Sequence, residues 1–342
     1  MNKNKKVPKT ANWKLWIGLL ISALFLYLAF RRVEFGQMWD ALKEANYWYL
    51  PPGILILFIS HYLRALRWRY LLEPMRRLDI NSLFISLMIG YGANAVTPAH
   101  LGEFLRAYVL SKKREISMGS TFATIVIERI IDVFTLLLLM CLVIFIHPFP
   151  DWVVKSGYIM FVATLLLFLL LILLKSSNSK REALVDVLLR PLPERYEHRV
   201  EGMIERFLYG IVPLKRWHDY VTVTFLSAAI WACYGLAFYF GLLAFNFINS
   251  YHLPWYAALV LLVITTISVV VPSSPGYVGT FHFLCQISLA MFGVPASPAL
   301  SFAVVIHAVN FLPVLALAIF LASYEGIRIY RPDVEREVAN GL

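Results

Sequence analysis

The chain has 342 residues, a net charge of +10, 60% hydrophobic and only 15% charged residues, and a mean hydropathy of +0.69. Soluble domains carry about 25% charge, so these numbers argue against a soluble enzyme or a nucleic-acid-binding module. The Lys and Arg are read instead as markers of cytoplasmic loops and as contacts for anionic lipid head groups. The apolar residues fall in runs long enough to cross a hydrocarbon core, which takes about 20 residues per helix. The expected fold is an all-α, polytopic integral membrane helical bundle. It forms one transmembrane domain over 1–342 in the cell inner membrane, with both termini in the cytoplasm.

At the N-terminus, Lys3, Lys5, Lys6, Lys9 and Lys14 precede the apolar run Trp16–Phe30. No small-residue cleavage site follows, and Arg31 and Arg32 do, so a retained first span fits better than a signal peptide. Full spans are predicted at about 13–30, 49–66, 121–146, 156–174, 220–247 and 298–323. Between the first two, Phe35, Met38, Trp39, Leu42 and Ala45 recur at helical spacing before Tyr47, Trp48 and Tyr49. That pattern predicts an amphipathic helix on the outer surface with an aromatic anchor. The 180–216 stretch alternates charge around apolar residues and is interrupted by Pro191 and Pro193, which reads as two short surface helices in a cytoplasmic loop spanning 175–219.

Two apolar stretches are broken. One, 82–111, is interrupted around Asn94–Gly102; the other, 256–293, around Pro272–Gly279. Their arms are short for spans, and non-helical backbone at membrane depth is tolerated only inside protein or along a wet cavity. Both are therefore read as re-entrant or broken hairpins. Charge supports this reading. With the N-terminus inside, a first hairpin keeps Lys112, Lys113 and Arg114 in the cytoplasm with the nine Lys and Arg of 175–219, and leaves 147–155 and 248–255 outside. Arg64, Arg67, Arg69, Arg76 and Arg77 then mark the inner end of span two, and two full spans per hairpin would give the same sidedness.

The breaks share a pattern. Pro98, Gly102 and Phe104 align without a gap with Pro275, Gly279 and Phe281, with Leu101 opposite Val278, and each break is followed by a span opening Phe-Ala (Phe122-Ala123 and Phe302-Ala303). Span–hairpin–span thus occurs twice with opposite orientation, an inverted-topology repeat. Paired interrupted segments of this kind point to a transport site near the midplane.

Ionisable residues inside apolar sequence are costly and usually functional. Glu103 and Arg106 are three apart on the second arm of the first hairpin. Glu128, Arg129 and Asp132 lie early in span three, and His61 and Arg64 near the inner end of span two. His282 and Gln286 are on the second hairpin, His307 and Asn310 on span six. Ion pairs Glu103–Arg106 and Arg129–Asp132, and snorkelling of Arg64 and Arg67 to the inner head groups, are the plain structural readings. The functional reading places Glu103, Arg106, Glu128, Arg129, Asp132, Arg64, His282, His307 and Asn310 at one lipid-binding site. The backbone of Asn94, Pro98, Gly102, Pro272, Pro275, Gly276 and Gly279 would shape the hairpins. Gly102 and Gly279 are expected in equivalent places of close backbone approach or positive φ. Cys141, Cys233 and Cys285 fall in apolar segments without metal or redox spacing, and no metal or cofactor is expected.

Asn94, Pro98, Gly102, Glu103 and Arg106, then Glu128-Arg129-x-x-Asp132, then the run from Pro272 through Gly279 to Phe281, together resemble the flippase-like transmembrane region of lysylphosphatidylglycerol synthases. The resemblance spans nearly the whole chain. It implies a stand-alone member that moves lipids between leaflets. It also implies no aminoacyl-transferase activity, since only residues 324–342 follow span six. Members often have Arg where His100 stands and Glu where His282 stands. The resulting expectation is a non-enzymatic flippase or transporter of a phosphate-bearing phospho- or polyprenyl lipid, with Arg106 and Arg129 facing the phosphate. Two rivals are a membrane-embedded glycosyl- or phospho-transferase using a polyprenyl carrier, and a non-transporting envelope assembly partner. Expected partners are membrane lipids with anionic head groups and no nucleic acid. A homo-oligomer and a cytosolic or envelope enzyme partner stay open.

Overall fold

The computed structural model describes residues 12–97, 101–176, 194–270 and 274–326; Pro98, His100 and Pro272 lie outside them. Thirteen α-helices and no strand are found among the described residues. In chain order they are α1 Asn12–Phe30, α2 Phe35–Glu44, α3 Leu50–Leu72, α4 Ile80–Val96, α5 Leu101–Arg114, α6 Met118–Ile144 and α7 Asp151–Ser176. They continue as α8 Glu194–Gly210, α9 Trp217–Ala244, the single turn α10 Phe247–Ser250, α11 Ala257–Val270, α12 Thr280–Ala290 and α13 Ala296–Tyr324.

Four segments among the described residues are long and apolar enough to cross a membrane: Tyr47–Leu72, Asp151–Lys175, Trp217–Ala244 and Ala296–Tyr324. Helix α6 is 27 residues long and largely apolar but carries Glu128, Arg129 and Asp132 within it. Of the two surface helices expected over 180–216, α8 is described, and 177–193 lie outside the described residues.

Contacts divide the chain into two units. Among the described residues the first unit takes 12–51, 94–97 and 238–311; the second takes the remainder, from 52 to 326.

In the first unit α12 packs on α11 and on α1, with the Phe25 and Phe283 rings 5.4 Å apart. Gln286 Nε2 donates to the carbonyls of Ala29 and Ala296, at 3.1 and 2.9 Å. This buried amide ties α12 to the end of α1 and the start of α13. Tyr256, just before α11, and Phe292, just after α12, bring their rings to 6.4 Å, so the two ends of the second broken stretch lie together. Helix α2 buries none of its residues, and Phe35 and Trp39 are 70% and 59% exposed. Its backbone is held by Ser301 Oγ, which donates to the Met38 carbonyl at 2.8 Å. That arrangement suits a helix lying in an interface with its aromatic side chains free to meet lipid.

In the second unit the core gathers around Trp68, Leu72, Leu83, Leu110 and Ile125, contributed by α3, α4, α5 and α6. Helix α8 lies against the start of α6, where Ser120 Oγ donates to the Arg206 carbonyl at 2.7 Å. The ends of the first broken stretch are also joined. Asp79, just before α4, forms an ion pair with Arg114 at the end of α5, Arg114 Nη2 donates to Ser82 Oγ at 2.7 Å, and Arg76 Nη1 donates to the Arg114 carbonyl at 2.7 Å.

The two aligned glycines differ. Gly279 has φ +92° and precedes α12. Gly102 is in the first turn of α5 and is not among the positive-φ glycines. Close approach at Gly102 instead requires the glycine facing it. A Cβ on Gly90 would lie 2.8 Å from both the Gly102 carbonyl oxygen and Arg106 Cβ, inside any real contact distance, so Gly90 lets α4 and α5 close on each other.

Candidate functional site

The second unit buries an ion-pair network that begins with the spacing of α3. His61, Arg64, Ala65, Trp68, Leu71 and Leu72 recur at three- and four-residue intervals and form its buried face, with Arg67 beside them. Facing them, Thr121, Thr124, Ile125, Glu128 and Asp132 form the buried face of α6. Because Gly90 allows α5 to seat closely on α4, Arg106 is carried to the same place.

Glu128 is fully buried and sits between guanidiniums. Arg106 grips it as a fork, Nη2 to Oε2 at 2.8 Å and Nη1 to Oε1 at 3.3 Å. Arg64 Nη1 reaches Glu128 Oε1 at 2.8 Å and Asp132 Oδ2 at 2.6 Å. Arg67 Nη2 donates to Asp132 Oδ1 at 2.7 Å, and its Nη1 to Ser227 Oγ at 2.9 Å. Arg64 Nε donates to the Tyr234 hydroxyl at 3.2 Å. The Arg106 guanidinium stacks 3.7 Å over the Trp68 ring, whose Nε1 donates to Thr124 Oγ1 at 2.9 Å. Charge-assisted bonds and a cation–π contact together offset the desolvation of these groups.

Arg129 is the outlier. Its side chain is 39% exposed, its Nε lies 3.1 Å from Glu103 Oε1, and its Nη1 lies 3.5 Å from Asp132 Oδ2. Glu103 Oε2 and Arg129 Nε are buried atoms without a hydrogen-bond partner among the described residues. The cluster holds four guanidiniums (Arg64, Arg67, Arg106, Arg129) against three carboxylates (Glu103, Glu128, Asp132). One positive charge is in excess, and the most exposed guanidinium is Arg129.

The structure therefore joins Arg64, Glu103, Arg106, Glu128, Arg129 and Asp132; Arg129 meets Asp132 along α6, and the other pairs run across helices. Glu103 meets Arg129 rather than Arg106, and Arg106 meets Glu128. Arg106 is 1% exposed and occupied by its carboxylate, so of the two guanidiniums expected at a phosphate only Arg129 is reachable. Arg67 was expected at the inner head groups and is instead fully buried in the network; Arg64, open to the same reading, is 4% exposed. Both side chains spend their charge on α6 carboxylates, not on lipid. His61 also belongs here. Its ring packs 5.2 Å from Tyr91, and both of its nitrogens are buried without a partner among the described residues.

The remaining candidates lie in the first unit, at the second break. Gly276, Tyr277 and Gly279 all have positive φ, at +72°, +57° and +92°. Such backbone is strained for Tyr277 and persists only when its surroundings hold it. His307 Nε2 lies 2.8 Å from the Gly276 carbonyl, and the Gly279 N–H donates to His282 Nδ1 at 3.4 Å. The two imidazoles are 4.8 Å apart, and Phe311 stacks 4.5 Å from His307. A Cβ on Gly276 would come 3.4 Å from the Ala95 carbonyl oxygen, so the end of α4 lies against the second break. Asn94 and Asn310 are half-buried nearby in sequence, in α4 and α13.

Apolar spanning helices with a charge network inside them define a multi-pass helical membrane protein. The chain belongs to the family described as the lysylphosphatidylglycerol synthase TM region, which it matches over residues 15–318. It is similar to a UPF0104 membrane protein of Methanothermobacter thermautotrophicus, 25% identical over 307 residues, covering 85% of this chain and 89% of that one. A UPF0104 membrane protein of Methanocaldococcus jannaschii is 26% identical over 46% of this chain and 49% of its own length. A Haloferax volcanii protein named Glycosyltransferase AglD is 30% identical over 120 residues, covering 35% of this chain but 19% of that protein. No solved structure is a significant match.

Proposed function

We propose that this chain moves a phosphate-bearing lipid between leaflets, with Arg129 as the head-group contact and Glu103 as the anion that holds Arg129 when no lipid is present. The observation carrying this reading is the charge imbalance. Four guanidiniums face three carboxylates, and the excess resides at the half-exposed Arg129. A phosphate exchanging with Glu103 would find a planar fork suited to it. Arg64, Arg67 and Arg106 then act by fixing Glu128 and Asp132, and through them the position of Arg129. The joined ends of both broken stretches support the re-entrant hairpins, and the inverted repeat is part of the proposal. So is a cytoplasmic location for 112–120, which single-cysteine labelling from either side of intact cells tests.

The decisive experiment reconstitutes the protein in vesicles with a fluorescent phospholipid and follows its movement between leaflets. Losing a charge-assisted contact removes about 1.5–3 kcal/mol, so Arg129→Ala should slow movement roughly tenfold or more. Arg129→Lys, which keeps charge but loses the fork, should fall between. If Arg129→Ala and Glu103→Ala both keep full lipid movement, the cluster is structural and the assembly-partner reading gains. The relative named Glycosyltransferase AglD favours the second reading, a transferase on a polyprenyl carrier. Transfer of labelled sugar or phosphate to polyprenyl phosphate by the purified protein would establish it.

A further inference from the structure

His61 is a polar side chain of the second unit that the ion-pair network leaves out. It is 6% exposed, and both of its ring nitrogens are buried without a partner among the described residues. A neutral imidazole carries one donor and one acceptor nitrogen. The rings beside it, Tyr91 at 5.2 Å and Phe58 at 6.3 Å, both stand edge to face with it. A ring face satisfies an N–H weakly and does nothing for a bare nitrogen, and an unmet buried acceptor is costly. His61 also stands close to Arg129. It precedes Arg64 by one turn on the buried face of α3, and Arg64 Nη1 and Arg129 Nη1 lie 2.6 and 3.5 Å from the same oxygen, Asp132 Oδ2. Tyr91, packed on His61, interacts electrostatically with Arg129. On the other side of Arg129, Glu103 Oε2 is a second buried acceptor without a partner among the described residues.

We propose that His61 extends the Arg129 site, so that a bound lipid places its phosphate at Arg129 and a hydroxyl of its head group at His61. The inference rests on the lipid reading of Arg129 and names the class of lipid. The free oxygens of a phosphodiester only accept, so they suit a guanidinium and give nothing to the bare nitrogen of His61. A hydroxyl donates to that nitrogen and leaves the ring N–H to the face of Tyr91. An ammonium donates too, but it brings positive charge to within a turn of Arg64. The cluster already holds four guanidiniums against three carboxylates. A phosphodiester without an amine cancels that excess, whereas a zwitterionic head group leaves it standing in low dielectric. The chemistry therefore selects a singly anionic phosphodiester lipid whose head group ends in a hydroxyl.

The test uses three phospholipids whose two-carbon head groups end in hydrogen, hydroxyl or ammonium: phosphatidylethanol, phosphatidyl(ethylene glycol) and phosphatidylethanolamine. Binding to the purified full chain in neutral detergent is read by displacement of a fluorescent phosphatidylethanol. The wild type should bind the hydroxyl lipid about tenfold or more tighter than the other two, because a site built for a hydroxyl rejects the analogue that lacks it. His61→Phe, which keeps the ring and loses both nitrogens, should bind the ethanol and ethylene glycol lipids equally. His61→Asn, which keeps a donor and an acceptor, should retain part of the preference. Equal binding of those two lipids by the wild type, or tighter binding of the ethanolamine lipid, overturns the proposal whether or not the variants fold. So does a preference that survives in His61→Phe. If Arg129→Ala still weakens all three lipids in those cases, the phosphate reading stands and only the subsite falls. Binding of none of the three, or binding unchanged in Arg129→Ala, is the failure of the lipid reading itself and overturns the subsite with it.

Discussion

The two polar regions of this membrane protein solve the same problem in opposite ways. In the second unit, cost is met by full charges paired side chain to side chain: Glu128 receives Arg64 and Arg106, and Asp132 receives Arg64 and Arg67. In the first unit, the strained backbone of the second break is met by two imidazoles hydrogen-bonded to Gly276 and Gly279. A charge network locks helices together, since removing one member strands the others in low dielectric. Each ring holds its glycine through a single hydrogen bond. The network is expected to be the framework and the break the more loosely tied element.

The sharpest way to break this comparison is at Glu128. Glu128→Ala leaves Arg64 and Arg106 without their shared carboxylate, and losing one partner of a buried pair costs about 3–5 kcal/mol. The expected outcome is loss of folded protein from the membrane, read as yield and thermal stability in detergent. If Glu128→Ala is as stable as the wild type, the network is not the framework. A smaller effect is expected at the break. Gly279→Ala places a Cβ 2.5 Å from the Ser22 carbonyl at φ +92°, a conformation costing roughly 1–3 kcal/mol for a non-glycine residue. The protein should remain folded but melt lower, with hydrogen exchange at 274–283 raised and the α3–α6 core unaffected. If Gly279→Ala loosens the core as much as the break, the two regions are not separable.

The helices were largely legible from hydropathy and from Pro and Gly: α3 begins one residue after the span predicted from 49, and both breaks fall where Asn94–Gly102 and Pro272–Gly279 placed them. The residues of the charge cluster were legible too, because charges stand out in apolar sequence. Their pairing was legible only in part: Arg129 and Asp132 do meet along α6. Spacing of three suggests Glu103–Arg106 within one helix, whereas the structure pairs each with a residue of α6. Sequence spacing reports which side chains share a face, and says nothing about the helix across from it. Arg67 was missed because the second span was ended at 66, while α3 runs on to Leu72. The available signal was that Arg67, like Arg64 and Trp68, follows the three-and-four spacing of the buried face. Gly90 carried no visible signal at all, since its need arises only when α4 meets α5.

The smallest effect is expected where the same chemistry is exposed. Asp79 and Arg114 repeat the carboxylate–guanidinium motif, but their side chains are 46% and 37% exposed, so the pair itself contributes at most about 1 kcal/mol and less at high salt. Asp79 also accepts from the Ser82 N–H at 3.0 Å, capping the start of α4. Burial alone would raise the Asp79 carboxyl; the bonds from the Ser82 N–H and hydroxyl and the Arg114 guanidinium outweigh it and hold it below its ordinary value of 3.8. A carboxyl lowered on folding stabilises fully above its unfolded value, and that contribution is lost as pH falls through the folded value. Asp79→Asn keeps the cap, which asparagine makes nearly as well, and gives up the titration. The melting temperatures of wild type and Asp79→Asn should therefore differ by a small constant amount above about pH 4 and converge below it. Asp79→Ala, losing the cap as well, should be about 0.5–2 kcal/mol less stable at every pH. If the wild type and Asp79→Asn keep the same separation down to about pH 2, Asp79 is held by its cap alone, and the exposed pair contributes nothing comparable to its buried counterpart.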